Sequence, residues 1–185
     1  MLQIRHSLSI LLTLTISLLS SLAAASPRDD SAILSRLLQL DLGFRQTYIL
    51  LDSLGDDAPN LTPADIVSTF NAATARNTTT VQLPLSTPCV ASTQFVICLA
   101  YHAFATTSIE LYNDLVEDAD EFDRATRNGL VDGFTAINNE NADFVDKVAP
   151  LALPLCVQSI QCDDQVLDRA FMNAFNALHP AGAPQ

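Results

Sequence analysis

Residues 33–51 read ILSRLLQLDLGFRQTYILL. Ile33, Leu37, Leu40, Phe44, Tyr48 and Leu51 recur at steps of three or four, the period of one face of an α-helix. Leu34, Leu38, Leu42 and Ile49 widen that face beyond a narrow seam. Asp29, Asp30 and Ser31 stand ahead of it as caps, and Gly55 stands where a C-terminal glycine belongs. The pattern predicts a helix running to about Leu54.

The same period recurs downstream. Thr62-Pro63-Ala64-Asp65 opens a second helix: Thr62 caps, Pro63 suits the first helical position, and Asp65 reaches back as in a capping box. Ile66, Val67, Phe70 and Ala73 form its apolar face. Pro84 and Pro88 confine the next stretch to a loop. Residues 77–109 carry no Asp, Glu, Lys or Arg, and residues 95–101 within them are nearly all apolar. A helix apolar on all sides is buried or holds something apolar. Acids then return at Glu110, Asp114, Glu117, Asp118, Asp120, Glu121 and Asp123. Acids oppose the dipole at a helix C-terminus and favour it in a first turn. The third helix is therefore expected to end near Leu115 and a fourth to begin near Asp118, although one long helix stays open. Phe122, Leu130, Phe134, Ile137, Phe144 and Val148 fall on the fourth, and Pro150 is expected to stop it. Residues 151–161 read as a loop. Asp163 or Asp164 caps a last helix carrying Leu167, Ala170, Phe171, Ala174, Phe175 and Leu178. The expected fold is all-α, a helical bundle of about five helices with two disulfides.

The first twenty-five residues set the compartment. Arg5 and His6 precede a run of Leu, Ile, Ser and Thr over residues 8–22, and Ala23-Ala24-Ala25 leads into polar sequence. This is the layout of a secretory signal peptide, cut after Ala25, which leaves residues 26–185 as a single α-helical domain. Asn77-Thr78-Thr79 is then a glycosylation sequon, and Asn60-Leu61-Thr62 a second one weakened by Pro63. The chain carries 21 Asp and Glu against 9 Lys and Arg, a net charge of −12. That balance opposes nucleic acid and anionic membrane surfaces. No second segment reads as long enough to span a bilayer; the best, residues 95–105, is too short. The chain is expected outside the cell, in the medium or in a cell wall.

Cys89, Cys98, Cys156 and Cys162 form an even set, which in a secreted chain reads as two disulfides. Their spacing does not suit zinc. Nine residues of continuous helix would hold Cys89 and Cys98 about 13 Å apart, forcing bridges across to Cys156 and Cys162. A helix starting nearer Ser92 would allow local pairs, so three pairings stay open.

Catalytic signatures are sparse. No Gly-x-Ser-x-Gly elbow, phosphate loop or His-Glu-x-x-His helix occurs. Only His102 and His179 lie beyond the leader. Secreted phospholipases A2 place a His-Asp pair beside cysteines on a buried helix, but Ala103 follows His102 and no calcium loop is visible. An EF-hand starting at Asp118 would need Gly and Glu where Asp123 and Gly129 stand. Paired carboxylates of a glycosidase lack any Trp to stack a sugar. Gly129 and Gly133 favour close helix packing over a ligand gap. No cofactor or metal is implied.

The remaining signal is apolar surface. A bundle with wide apolar faces holds an elongated pocket between helices or lays those faces on a hydrophobic surface. Phe44, Tyr48, Leu51, Phe95, Phe134 and Ile137 are the candidate ligand-binding residues. The expected function is secreted, non-enzymatic binding of an apolar ligand or hydrophobic surface. The alternatives are a helical inhibitor or effector docking on a partner protein, with a dry core and an exposed apolar patch, and a small hydrolase using His102 or His179.

Three stretches carry a family likeness: Ala32-Ile33-Leu34-Ser35-Arg36-Leu37-Leu38-Gln39-Leu40-Asp41, Leu111-Tyr112-Asn113-Asp114-Leu115, and Phe134-Thr135-Ala136-Ile137-Asn138 on to Phe144-Val145. Across residues 30–149 the chain resembles the fungal hydrophobic surface-binding protein A family, which includes cell-wall galactomannoproteins. The resemblance implies an extracellular helical bundle without catalysis that adsorbs to hydrophobic surfaces or binds fatty acids and related lipids, and a secreted enzyme as partner. The four cysteines and the Pro-rich segments 81–88 and 150–154 depart from that pattern. Plant-type invertase and pectin methylesterase inhibitors share the four cysteines and the bundle, but their first cysteine pair is N-terminal.

Overall fold

The computed structural model describes residues 28–53, 62–75 and 88–179. The leader, the Gly55 turn and the sequons at Asn60 and Asn77 lie outside the described residues. Within them the chain is all-α, with no strand. Five long helices form a bundle: α1 (Arg28–Asp52), α2 (Pro63–Ala75), α3 (Ala91–Glu117), α4 (Arg124–Asp143) and α6 (Val157–Leu178), with a short α5 (Ala149–Ala152) before the last. Helix α3 packs against α1 and α6, α2 bridges α1 and α4, and α4 meets α6. Among the described residues α1 and α4 do not pack closely on each other.

The capping chemistry of α2 follows the sequence. The Asp65 carboxylate accepts from the Thr62 backbone N–H at 2.8 Å and from its hydroxyl at 2.7 Å, closing the first turn of α2. Asp123 accepts from the Thr126 N–H at 2.8 Å and starts α4. The acids after α3 thus fill a short 3₁₀ turn, Ala119–Glu121, and two separate helices result rather than one.

Four boundaries differ from expectation. Helix α1 already includes Asp29, Asp30 and Ser31 rather than being capped by them. Helix α4 begins at Arg124, six residues after Asp118, because Asp123 supplies the cap, and Phe122 stands ahead of it. Pro150 does not stop the fourth helix. The helical path continues through a π turn, Phe144–Val148, into α5. Proline lacks the N–H that would reach the Asp146 carbonyl, and its ring crowds that carbonyl. The backbone widens instead, and the Ala149 N–H bonds the Phe144 carbonyl, one residue further back than in an α-helix. The loop is also shorter than residues 151–161. Helix α6 begins at Val157, ahead of the caps assigned to Asp163 and Asp164.

The core is aromatic. Phe44 meets Phe70, Phe104 and Tyr112 edge-on at 5.4, 5.5 and 6.2 Å between ring centroids. Phe134 meets Phe70 at 4.4 Å and Tyr112 at 5.0 Å. This cluster joins α1 to α4. The α2–α4 contact is tight at the two glycines: a Cβ on Gly133 would stand 2.5 Å from the Phe70 ring, and one on Gly129 would stand 2.9 Å from Val67. Close packing is therefore what they serve.

Cys98 and Cys156 form the disulfide, with Cα atoms 6.4 Å apart, and tie α3 to the start of α6. The second expected bridge does not form among the described residues. Cys162 is exposed, six residues along α6 from Cys156 and so roughly 240° around the helix. Cys89 is buried ahead of α3. Gln94 braces that junction. Its amide donates to the Cys89 carbonyl at 2.5 Å and accepts from the Leu155 N–H at 3.0 Å.

Helix α3 outruns the apolar stretch of residues 95–105. It is long and apolar enough to cross a membrane by length and composition. In the bundle it is the packed central helix, with 50% of its most apolar window buried.

Candidate functional site: a groove between helices α1 and α4

Where α1 and α4 diverge, the bundle opens into a groove of about 320 Å³. Ile33, Leu37 and Leu40 line it from α1, and Ile137 from α4. Phe104 of α3 lies at its base, buried. Phe144 and Val148 of the π turn and Leu151 of α5 complete the apolar wall. The volume falls in the range of about 300–1,000 Å³ typical of small-molecule pockets. The π turn that Pro150 imposes is thus part of the wall, and such turns recur at functional sites.

The charged part of the lining is two ion pairs. Arg36 of α1 pairs with Glu140 of α4. Lys147, the chain's one lysine, donates to Asp143 at 2.6 Å. Behind the wall lies a polar cluster. The Tyr101 hydroxyl donates to the Asn141 side-chain oxygen at 3.0 Å, and the Asn141 amide donates to Asp164 at 2.5 Å. Asn141 itself lines the groove. Burial, with Asp164 nearby, pushes the Tyr101 hydroxyl well above its usual range. Burial, with Asp168 nearby, also raises the Asp164 carboxyl, while the hydrogen bonds from Asn141 and Tyr101 pull the other way.

Of the six residues expected to line a site, Ile137 does so. Phe44 and Phe134 belong to the aromatic core and Leu51 is buried. Tyr48 is half-buried among the carboxylates of Asp114, Asp52 and Glu110, with Asp114 the strongest influence raising its hydroxyl pKa. Phe95 faces outward and is 65% exposed. Arg36, Glu140, Asn141 and Phe144 went unassigned by sequence reasoning. Pro150 inside a helical pattern was the available signal for the last.

A second surface surrounds the disulfide. Phe95 and Leu99 stand one turn apart on α3, flanking Cys98, and Leu155 adjoins Cys156; all three are exposed. The two histidines lie elsewhere. His102 pairs with Asp163 at 3.0 Å, and His179 stacks on Phe175 at 5.6 Å. Among the described residues no cluster of His, Cys, Asp or Glu is arranged to hold a metal.

Fold and groove together define an all-α bundle with a half-open, mostly apolar side groove. No family model matches the chain, and no curated protein or solved structure matches it.

Proposed function

We propose that this chain is a secreted, glycosylated, non-enzymatic protein that binds an apolar ligand of the lipid class in the α1–α4 groove. The observation that carries the reading is the groove itself. An apolar channel of about 320 Å³ runs beside the core, with Ile33, Leu37, Ile137 and Val148 as walls. A bundle that needed only stability would close such a space, because protein interiors pack densely. The likeness to the fungal hydrophobic surface-binding proteins supports the same reading. The lining offers apolar contact and ion pairs rather than a nucleophile with a base, which favours carriage over chemistry. Extraction of lipid from the protein purified out of culture medium tests it. Recovery of a stoichiometric apolar compound supports the proposal, and a lipid-free protein that takes up none opposes it.

A second reading, adsorption to a hydrophobic surface, is favoured by Phe95, Leu99 and Leu155 around the disulfide. Partition of Phe95→Ser onto polystyrene beads, against the parent, separates it from groove binding.

A further inference from the structure

We infer that the groove selects ligands with an uncharged polar end, such as a long-chain alcohol, ester or amide, over the matching carboxylate. The inference rests on the groove being the ligand site and concerns the head-group alone. Both cations in the lining already face an anion: Arg36 pairs with Glu140 and Lys147 with Asp143. A carboxylate reaching Arg36 would displace Glu140 and remain beside it, a like-charge contact. Asp164 adds negative charge directly behind Asn141, 2.5 Å from its amide nitrogen. The net charge of −12 repels anions from the protein as a whole.

Asn141 offers what an uncharged head needs. A side-chain amide has two N–H donors and two acceptor lone pairs. The contacts to Asp164 and Tyr101 use one of each. The second N–H and the second lone pair remain to serve a hydroxyl or a carbonyl in the groove. The same cluster holds Asn141 in place, since its two partners come from α3 and α6.

The test compares decan-1-ol with decanoate at pH 7, as competitors of the neutral fluorophore N-phenyl-1-naphthylamine on the full secreted protein. The expected result is a preference of at least about tenfold for the alcohol, a smaller effect than a fully buried like-charge contact would impose. Glu140→Gln removes the anion facing Arg36, so the affinity ratio of decanoate to decanol should rise about tenfold. Equal or tighter binding of decanoate by the parent protein overturns the inference and leaves lipid binding standing; this arm needs no variant to fold. An unchanged ratio in a folded Glu140→Gln protein overturns it as well. Failure of the fluorophore and both competitors to bind overturns the lipid reading and this inference with it.

Discussion

Phe144 stacks on Tyr101, with ring centroids 5.5 Å apart and planes inclined by 19°. One ring walls the groove and the other anchors the polar cluster behind it, so the π turn and the Tyr101–Asn141–Asp164 network hold each other in place. Phe144→Ala should lower stability by about 2 kcal/mol, below the roughly 3–5 kcal/mol of a fully buried Phe because this ring is half-buried. Urea denaturation checks it, and a loss under about 0.5 kcal/mol would show that the stack holds nothing.

Gly133 tests the α2–α4 contact. Alanine is the better helix former by about 1 kcal/mol, yet the added methyl would sit 2.5 Å from the Phe70 ring. Overpacking of this kind costs about 1–3 kcal/mol, so Gly133→Ala should destabilise despite its propensity. Adding Phe70→Leu should recover part of the loss in a double-mutant cycle. A stabilised single variant would mean that the helices separate freely there.

The Cys98–Cys156 bridge closes a span of 58 residues. Chain entropy assigns a loop of that size about 4 kcal/mol, with engineered and natural cases commonly nearer 2–4 kcal/mol. Cys98→Ser with Cys156→Ser should lower the thermal midpoint by many degrees and leave far-ultraviolet dichroism near native in the cold. An unshifted midpoint would contradict the bridge.

Stability should respond to pH in two opposed ways. The Asp164 carboxyl is raised above 3.8 by burial and Asp168, so its contribution is fully present below 3.8 and is lost as the pH rises through the raised value. Asp114 and Asp118, raised by burial and then by neighbouring acids, act in the same sense. The caps Asp65 and Asp123 are lowered by hydrogen bonds from Thr62 and Thr126, and their contribution is lost only as the pH falls below 3.8. Asp164→Asn should therefore flatten the decline above pH 3.8. Denaturation midpoints from pH 3 to 7 check this, and parallel curves for parent and variant would refute it.

The helices were legible because burial repeats along them: Ile33, Leu37, Leu40 and Phe44 are buried as their spacing requires. Leu42 and Ile49 stay exposed, because a wide apolar face does not say how much of itself a neighbour covers. The cap at Thr62 was legible, whereas the cap at Asp123 was not, because a run of acids from Glu117 to Asp123 offers several equivalent helix starts. The π turn was not, since a proline in a helical pattern reads as a stop when tertiary contacts instead carry the helix past it. The site was read least well, for a physical reason. Apolar periodicity marks what is buried, and the strongest positions, Phe44 and Phe134, are buried by filling space. A groove forms where two helices fail to meet, and α1 and α4 lie 104 residues apart at their ion pair. No local pattern records that divergence.

Native mass spectrometry of the protein purified from culture medium without detergent tests the central claim most directly. The groove account expects a population carrying one apolar molecule, lost in Val148→Trp, whose indole would fill the groove while the dichroism spectrum stays helical. A parent protein of bare polypeptide-plus-glycan mass that gains no ligand on incubation with decan-1-ol would contradict it.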